Sequence, residues 1–414
     1  MPTLETLRLP VVVWLAALAA YVVAVLNRTS LGVAGLDATE RYGVTASMLS
    51  LFVVLQVLVY AAMQIPSGLL LDRFGSRAMI SAGLVIMAVG QGTLALSEEL
   101  GLAIAARVLV GLGDALVFIA AIRVIPQWFP ARQVPLLTQL TGILGQSGQV
   151  LSAVPLAWLL HGPGWSVAYA SAAALSVLVA VGVLAVVRDD PSGTRTVQRA
   201  GSVPAVLAGI RSVWSRPGTR QGFYGHMGTA FSGNVFVLLW GFPFLVGAQR
   251  LDAAVASGFL ALFVVATVAV GPFVGVLTGR YPWRREMIVL GIIALNAAAW
   301  SVMLLVAWPA PGWLIGLLVV AVATGGPGSV IGFDLARTSN PPEQLGLAQG
   351  MVNQGGFVAT LVTTGLVGVV LTLAGGYTAE AFRLAWLVQF PVWAVAVAGV
   401  VAMGRRARAG AVPP

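Results

Sequence analysis

Two charged side chains lie seven residues apart in a stretch that is otherwise apolar. Arg107 and Asp114, with Gly111 between them, have the spacing i, i+4 and i+7, which places all three on one face of a helix. A charge at the centre of a membrane costs about 2.5–3.5 kcal/mol on insertion scales, and such residues commonly mark ion and solute pathways. We therefore expect Asp114 to accept protons beside Arg107. The alternative is that the two residues form a structural pair.

Three further charged positions occur in or near apolar stretches. Arg28 lies past the middle of the first stretch, with Tyr21 below it on the same face, and a cation there suits an anionic group of a solute. The alternative for Arg28 is snorkelling to the outer interface, and we expect Arg123 to be a snorkelling anchor. Asp334 and Arg337, spaced i and i+3, are predicted to form a cytoplasmic gate or a structural pair.

Uncharged polar side chains form stripes along several of the apolar stretches. Such faces line aqueous cavities, although hydrogen bonding between helices is an equally ordinary use. The residues that we expect to bind a solute are Arg28, Tyr21, Gln56, Tyr60, Gln146, Asn234, Trp240 and Asn353.

The elements that must position these side chains follow from composition. Of the 414 residues, 58% are hydrophobic and 9% are charged, against about 25% charged in soluble domains. Long apolar runs of about 20 residues predict membrane-spanning helices rather than the short alternating strands of a barrel. We predict an all-α membrane protein with twelve spans: 10–35, 46–70, 78–97, 101–125, 134–160, 165–187, 221–247, 254–278, 287–308, 313–336, 345–373 and 381–403.

The spans are grouped six and six. We predict an N-terminal six-helix bundle in residues 1–187, a cytoplasmic central loop in 188–220, and a C-terminal six-helix bundle with a short tail in 221–414. Apolar residues from Val203 to Trp214 recur at helical spacing, which favours an amphipathic helix on the inner leaflet, held by membrane lipids. A partly ordered linker is the alternative.

Arginine placement predicts the orientation, because basic residues are retained on the cytoplasmic side. With the N-terminus inside, seventeen arginines fall in inner loops and tails and three in outer loops. We therefore expect both termini to be cytoplasmic and the protein to lie in the bacterial cytoplasmic membrane. This orientation also explains the net charge of +9 without nucleic acid as a partner.

Several kinds of chemistry have no support in the sequence. Cysteine is absent and histidine occurs twice, so thiol chemistry and a histidine-built metal site are excluded. The chain contains no phosphate-binding loop and no nucleophile elbow. We expect a protein that is not an enzyme and has no cofactor or metal.

The loop after the second span carries a family resemblance. It contains Gly68, Asp72, Arg73, Gly75 and Arg77, and it resembles the G-x-x-x-D-R-x-G-x-R loop of the major facilitator superfamily. The resemblance implies two pseudo-symmetric six-helix bundles, and these five residues would form a latch between the halves. A carboxylate suits the positive end of a helix, so we expect Asp72 at the start of the eleventh span. Gly75 permits a tight turn.

Other segments are similar to motifs of the same family. Arg107 stands where the helix 4 motif R-x-x-x-G-x-G places an arginine associated with proton transfer. The segment 346–356 resembles the signature of the nitrate/nitrite porter branch, and it repeats features of 138–148 in the first half. Those porters bind the anion with arginines in helices 2 and 8, which are lacking here, so nitrate itself is not expected.

The sequence favours a monomeric secondary transporter that takes up a small polar or anionic solute with protons by alternating access. A proton-coupled antiporter that exports drugs or metabolites is the second hypothesis. A membrane scaffold or sensor without transport is the third, although such a protein would gain nothing from Arg28 or Asp114.

Overall fold

The structure is a computed structural model that describes residues 4–43, 46–190 and 203–409. Within these ranges the chain forms helices joined by short turns, and no strand occurs. The chain divides into two compact units. The first contains Met1–Ala205 and Glu343–Gly350, and the second contains Val206–Pro342 and Met351–Pro414.

The first unit is built mainly from long apolar helices. Its helices are α1 (Leu4–Val33), α2 (Gly35–Tyr42), α3 (Ala46–Ala62), α4 (Gln64–Leu96), α5 (Leu100–Trp128), α6 (Val134–Gly145), α7 (Ser147–Leu151), α8 (Ala157–His161) and α9 (Trp165–Val186). A π-helical segment, Ser152–Leu156, joins α7 to α8 and contains Pro155, which cannot donate a backbone hydrogen bond.

The predicted second span is interrupted at Met63. Eleven helices among the described residues are long and apolar enough to cross a membrane. The 17-residue α3 is too short to be one of them, while the 33-residue α4 contains both the end of the second predicted span and the third span up to Leu96. Inside α4, Gly75 has φ 86°, a conformation that glycine adopts without steric cost. The chain turns there, so α3 and α4 together supply two spans.

The second unit has the same helical character. Its helices are α10 (Val203–Ser215), α11 (Pro217–Val235), α12 (Gly241–Pro243), α13 (Ala253–Arg280), α14 (Arg285–Leu305), α15 (Gly312–Ala323), α16 (Gly325–Ser339), α17 (Leu345–Leu373), α18 (Ala379–Trp386) and α19 (Gln389–Ala409). The first residues of α10 and of α17 belong to the first unit. The predicted tenth span is divided at Thr324 into α15 and α16.

Aromatic side chains fill the core of the second unit. Trp300 and Trp386 are fully buried, with ring centroids 4.3 Å apart, and Phe236, Phe244 and Phe382 pack around them. Such large rings bury much apolar surface and prefer tilted or edge-to-face contacts. The seventh span passes through this core as two π-helical segments, Phe236–Trp240 and Phe244–Ala248, on either side of α12.

Candidate functional site

An ion pair between α1 and α5 forms the centre of the site in the first unit. Arg28 Nε donates to Asp114 Oδ2 at 2.6 Å, and Arg28 Nη2 donates to Asp114 Oδ1 at 2.8 Å. The Asp114 side chain is 1% exposed and the Arg28 side chain is 26% exposed. This bidentate geometry is the strong form of an arginine–carboxylate interaction. The arrangement does not support snorkelling of Arg28 to an interface.

The two glycines after Arg107 explain how α5 approaches its neighbours. A Cβ atom on Gly111 would lie 2.7 Å from the backbone oxygen of Gln56 in α3, so a larger residue would push α3 away. Gly83 in α4 is in similar contact with Gly113, because its own Cβ would lie 2.6 Å from the Gly113 carbonyl oxygen. Small residues of this kind let membrane helices pack closely. The R-x-x-x-G-x-G spacing therefore brings Gln56 and Asp114 into one region.

Arg107 is fully buried and binds neutral oxygen atoms. Its Nη2 donates to the Arg28 carbonyl oxygen at 3.0 Å and to Gln56 Oε1, and its Nη1 donates to Ser30 Oγ at 3.2 Å. It interacts electrostatically with Asp114. The alternative of a structural pair between Asp114 and Arg107 needs a correction, because the ion-pair partner of Asp114 is Arg28. Proton acceptance by Asp114 beside Arg107 stays a prediction. Spacing within one helix cannot reveal a partner that a second helix supplies.

A buried polar network behind α1 was not predicted. Gln91 Nε2 donates to Asn27 Oδ1 at 2.9 Å and to Ser30 Oγ at 3.1 Å, and Asn27 Nδ2 donates to Ser176 Oγ at 2.8 Å. Asn27, Ser30, Gln91 and Ser176 have no exposed surface. Polar residues in three separate apolar stretches are the signal that could have indicated them. The network ties α1 to α4 and α9 and so fixes the rotation of α1 about its axis.

Three other predicted solute residues surround Arg28. The guanidinium carbon of Arg28 lies 5.1 Å from the ring centroid of Tyr60, within the range of cation–π interactions. The hydroxyl group of Tyr21 interacts with both Arg28 and Gln146. The structure therefore brings Arg28, Tyr21, Gln56, Tyr60 and Gln146 together around Asp114 within the first unit.

The remaining predicted solute residues lie in the second unit. Asn234 Nδ2 donates to Thr360 Oγ1 at 3.3 Å, and Trp240 Nε1 donates to the Thr364 carbonyl oxygen at 3.0 Å. Asn353, in α17, is 3% exposed. These contacts connect the seventh span to α17, and solute binding by Asn234, Trp240 and Asn353 stays a prediction.

Asp334 and Arg337 form an ion pair within α16. Arg337 Nη2 lies 2.9 Å from Asp334 Oδ1, and its Nε lies 3.2 Å from the same oxygen. The Asp334 side chain is 5% exposed and the Arg337 side chain is 14% exposed. The predicted pairing is present, and its role as a cytoplasmic gate stays a prediction.

Asp72 binds the start of α17, as the sequence predicts. Its Oδ1 accepts a hydrogen bond from Gly346 N at 2.7 Å, and its Oδ2 accepts one from Leu347 N at 2.8 Å. N–H groups at a helix N-terminus have no acceptor within their own helix, and a negative charge is stabilised there. Gly68 packs against the same segment, with no room for a Cβ beside the backbone of Gly346 and Leu347.

The other charged residues near Asp72 differ in their environments. Arg123 is 3% exposed and forms an ion pair with Asp72, so the prediction of a snorkelling anchor is wrong. Its position near the end of α5 suggested an interface, but Asp72 in α4 provides a buried partner. Arg73 lies over the ring of Phe74. Arg77 is exposed and its backbone N–H donates to Asp189 Oδ1 at 3.1 Å. A latch function for this loop stays a prediction.

Comparison with known proteins gives consistent results. The family model of the Major Facilitator Superfamily matches residues 17–364. The "Probable galactarate/D-glucarate transporter GudP" of Escherichia coli (strain K12) is 23% identical over 390 residues, which cover 85% of this chain and 84% of that protein. The "Probable L-galactonate transporter" of the same strain is 26% identical over 163 residues, covering 39% of this chain and 36% of that protein.

A solved structure agrees on the fold. The crystal structure of the Major Facilitator Superfamily transporter FucP, in the outward conformation, has a TM-score of 0.70 at 15% identity and covers 96% of this chain and 99% of that chain. The predicted fold class, an all-α membrane protein with twelve spans, is confirmed. The family model and the relatives confirm that the chain is a multi-pass membrane transporter and not an enzyme. The chain belongs to the Major Facilitator Superfamily.

Proposed function

We propose that this protein is a secondary active transporter that takes up a small organic anion together with protons by alternating access. The observation that carries the proposal is the bidentate ion pair between Arg28 and Asp114. Arg28 is the group that binds the carboxylate of the solute, and Asp114 is the group that accepts the proton.

The coupling follows from competition for one guanidinium edge. Asp114 occupies Nε and Nη2 of Arg28, and a solute carboxylate that binds this edge needs the same pair of parallel N–H donors. Two carboxylates cannot use that edge at once. Protonation removes the charge of Asp114 and weakens its hold on Arg28, so the anion binds most strongly when the proton is present. The proton and the anion therefore move together.

Stability alone gives a poor account of this ion pair. Taking two charges out of water costs several kcal/mol for each ion, and replacing a buried pair by apolar residues is often neutral or stabilising. Asp114 is 1% exposed, whereas Arg28 retains 26% of its side-chain surface. An arginine that is partly open beside a fully buried carboxylate suits a group that exchanges partners during a cycle.

The names of related proteins support an anionic solute. The two relatives described above are named as transporters of galactarate or D-glucarate and of L-galactonate, which are hydroxylated carboxylates. Tyr21, Gln56 and Gln146 lie around Arg28. Their hydroxyl and amide groups are suited to bind hydroxyl groups next to such a carboxylate. We further propose that the protein works as a monomer in the bacterial cytoplasmic membrane with both termini inside.

Export of lipophilic cations by antiport is the competing hypothesis. Arg28 argues against it, because a cationic drug close to this guanidinium would be repelled. The two hypotheses therefore differ in the charge of the ligand that the protein binds.

Thermal stabilisation of the detergent-purified protein tests the proposal. A ligand that binds the folded state alone must raise its melting temperature. We would compare L-galactonate, galactarate, the neutral polyol galactitol and the lipophilic cation tetraphenylphosphonium. Each would be measured on the unchanged protein and on the variants Arg28→Lys and Arg211→Lys. Arg28→Lys keeps the charge and loses the bidentate donor. Arg211 is an exposed residue of α10, so Arg211→Lys serves as the matched control.

We expect a carboxylate to raise the melting temperature, the Arg28→Lys variant to lose this stabilisation, and Arg211→Lys to retain it. Stabilisation by tetraphenylphosphonium but by neither carboxylate would replace the proposal with the export hypothesis.

A further inference from the structure

Among the described residues, three carboxylates are buried: Asp72, Asp114 and Asp334. Two of them have fixed local partners. Asp72 accepts hydrogen bonds from two backbone N–H groups at the start of α17 and pairs with Arg123. Asp334 pairs with Arg337 one turn away in its own helix. Asp114 differs from both because its partner, Arg28, is the residue that the proposed function assigns to the solute.

Among the described residues of the first unit, the groups that face this ion pair are otherwise neutral or cationic. Arg28 and Arg107 are the charged groups that act on Asp114. The polar neighbours from α1 and α3 are the hydroxyl groups of Tyr21 and Tyr60 and the amide of Gln56. None of these can take over a proton from a carboxylate at neutral pH. Within the part of the first unit that the structure describes, the site therefore holds one exchangeable proton, on Asp114.

The net charge of the site also indicates one proton for each transported anion. Arg28 and Arg107 carry two positive charges and ionised Asp114 carries one negative charge, which leaves one positive charge in the ion-paired state. When a proton neutralises Asp114 and a singly charged carboxylate takes its place on Arg28, one positive charge again remains. Desolvation of charge dominates the cost of moving ions in a low-dielectric site. The empty and the loaded carrier therefore meet the same electrostatic cost when they reorient.

Resting on the proposed function, we propose that the protein moves one proton with each singly charged carboxylate, so that its transport cycle is electroneutral. The solute class is a hydroxylated monocarboxylate. The carboxyl O–H bond of Asp114 forms on the outer side as the anion binds and breaks on the inner side as the anion leaves, so each turnover transfers one proton and one anion. A dicarboxylate carried with one proton would instead move one net negative charge.

The test is the accumulation of radiolabelled acids by the full-length protein in sealed liposomes. L-galactonate and galactarate form a matched pair, because both have six carbons and galactarate has one more carboxylate. Potassium with valinomycin sets the membrane potential independently of the pH gradient. For one proton and one monoanion, the steady-state ratio of internal to external L-galactonate changes about tenfold for each unit of pH difference. An imposed potential leaves that ratio unchanged.

Two variants locate the proton. Asp114→Asn should abolish the dependence of the L-galactonate ratio on the pH gradient. Asp334→Asn should keep the tenfold dependence, whatever its transport rate, because Asp334 belongs to a separate ion pair with Arg337 in α16.

The results distinguish failure of the one-proton inference from failure of the proposed function. A ratio that rises about a hundredfold per pH unit, and further with an inside-negative potential, would show two protons and overturn the inference while the proposed function stands. Accumulation of galactarate without L-galactonate would overturn the monocarboxylate class. If neither acid accumulates under a pH gradient, proton-coupled anion uptake itself fails.

Discussion

Arg107 binds the backbone of Arg28: its Nη2 donates to the Arg28 carbonyl oxygen at 3.0 Å. One buried arginine thus fixes the position of the other, which carries the ion pair with Asp114. Ser30 contributes to the same arrangement, because its hydroxyl group accepts hydrogen bonds from both Arg107 and Gln91. We regard Arg107 as a positioning residue that holds this part of α1 in place.

Replacing Arg107 should therefore weaken anion binding through Arg28. Hydrogen bonds to charged groups contribute about 1.5–3 kcal/mol each, so Arg107→Gln should reduce the affinity for the anion by about ten- to a hundredfold. Arg107→Lys keeps the charge and should restore little, because lysine lacks the planar donor arrangement. Affinity and melting temperature would be measured together. An unchanged affinity in a variant with a lowered melting temperature would show that Arg107 is merely structural.

Asp114→Asn should separate exchange from accumulation. The amide has the shape of the protonated carboxylate and cannot release a proton, so the variant should exchange internal for external anion but not concentrate it. Asp114→Glu keeps the ionisable group and should retain some concentrative uptake. The measurements are counterflow and pH-driven uptake in liposomes. Concentrative uptake by Asp114→Asn would rule out Asp114 as the proton acceptor.

A family motif predicts one contact between helices, whereas the sequence does not predict the contacts that lie outside such motifs. The position of Asp72 at the start of α17 followed from a charged motif and from the physics of helix ends. The pairing of Arg28 with Asp114 could not be predicted, because the rotation and packing of α1 and α5 decide which side chains meet. The position of Arg123 near the end of α5 predicts an interface, although Asp72, 51 residues away, is its partner.

The buried network was missed for a related reason. Ser30, Gln91 and Ser176 lie in three separate apolar stretches, and no periodic pattern connects them. The break at Met63 is a second example. Gln64 and Pro66 follow this position, but apolar residues continue on both sides of them, so the sequence predicts a continuous second span. Hydropathy reports burial in the membrane, whereas helix breaks depend on backbone geometry.

Asp72 and Arg123 should be energetically coupled. Breaking a buried ion pair by removing one partner costs about 3–5 kcal/mol, because the other charge stays buried and unpaired. Asp72→Asn and Arg123→Gln should each lower the stability, and the double variant should be more stable than the sum of the single effects by about 0.5–3 kcal/mol. A double-mutant cycle on reversible denaturant unfolding would measure this. Additive effects would mean that the two side chains act independently.

Glycine substitutions should separate close helix contacts from open helix faces. A Cβ atom at Gly111 would lie 2.7 Å from the Gln56 backbone oxygen, so Gly111→Ala should destabilise the protein by about 1–3 kcal/mol. Gly92 is the matched control, because a Cβ there would meet no atom within 4 Å. Gly92→Ala should be neutral or stabilise the protein by up to about 1 kcal/mol. Equal melting temperatures for the two variants would contradict the close approach of α3 and α5.

Proton uptake on anion binding tests the central claim most directly. Purified protein in weakly buffered detergent solution would be mixed with L-galactonate and the pH followed with an indicator dye. If the anion displaces Asp114 from Arg28, the unchanged protein should bind protons as it binds the anion, and Asp114→Asn should bind the anion without taking up protons. Anion binding to the unchanged protein with no proton uptake would contradict the account.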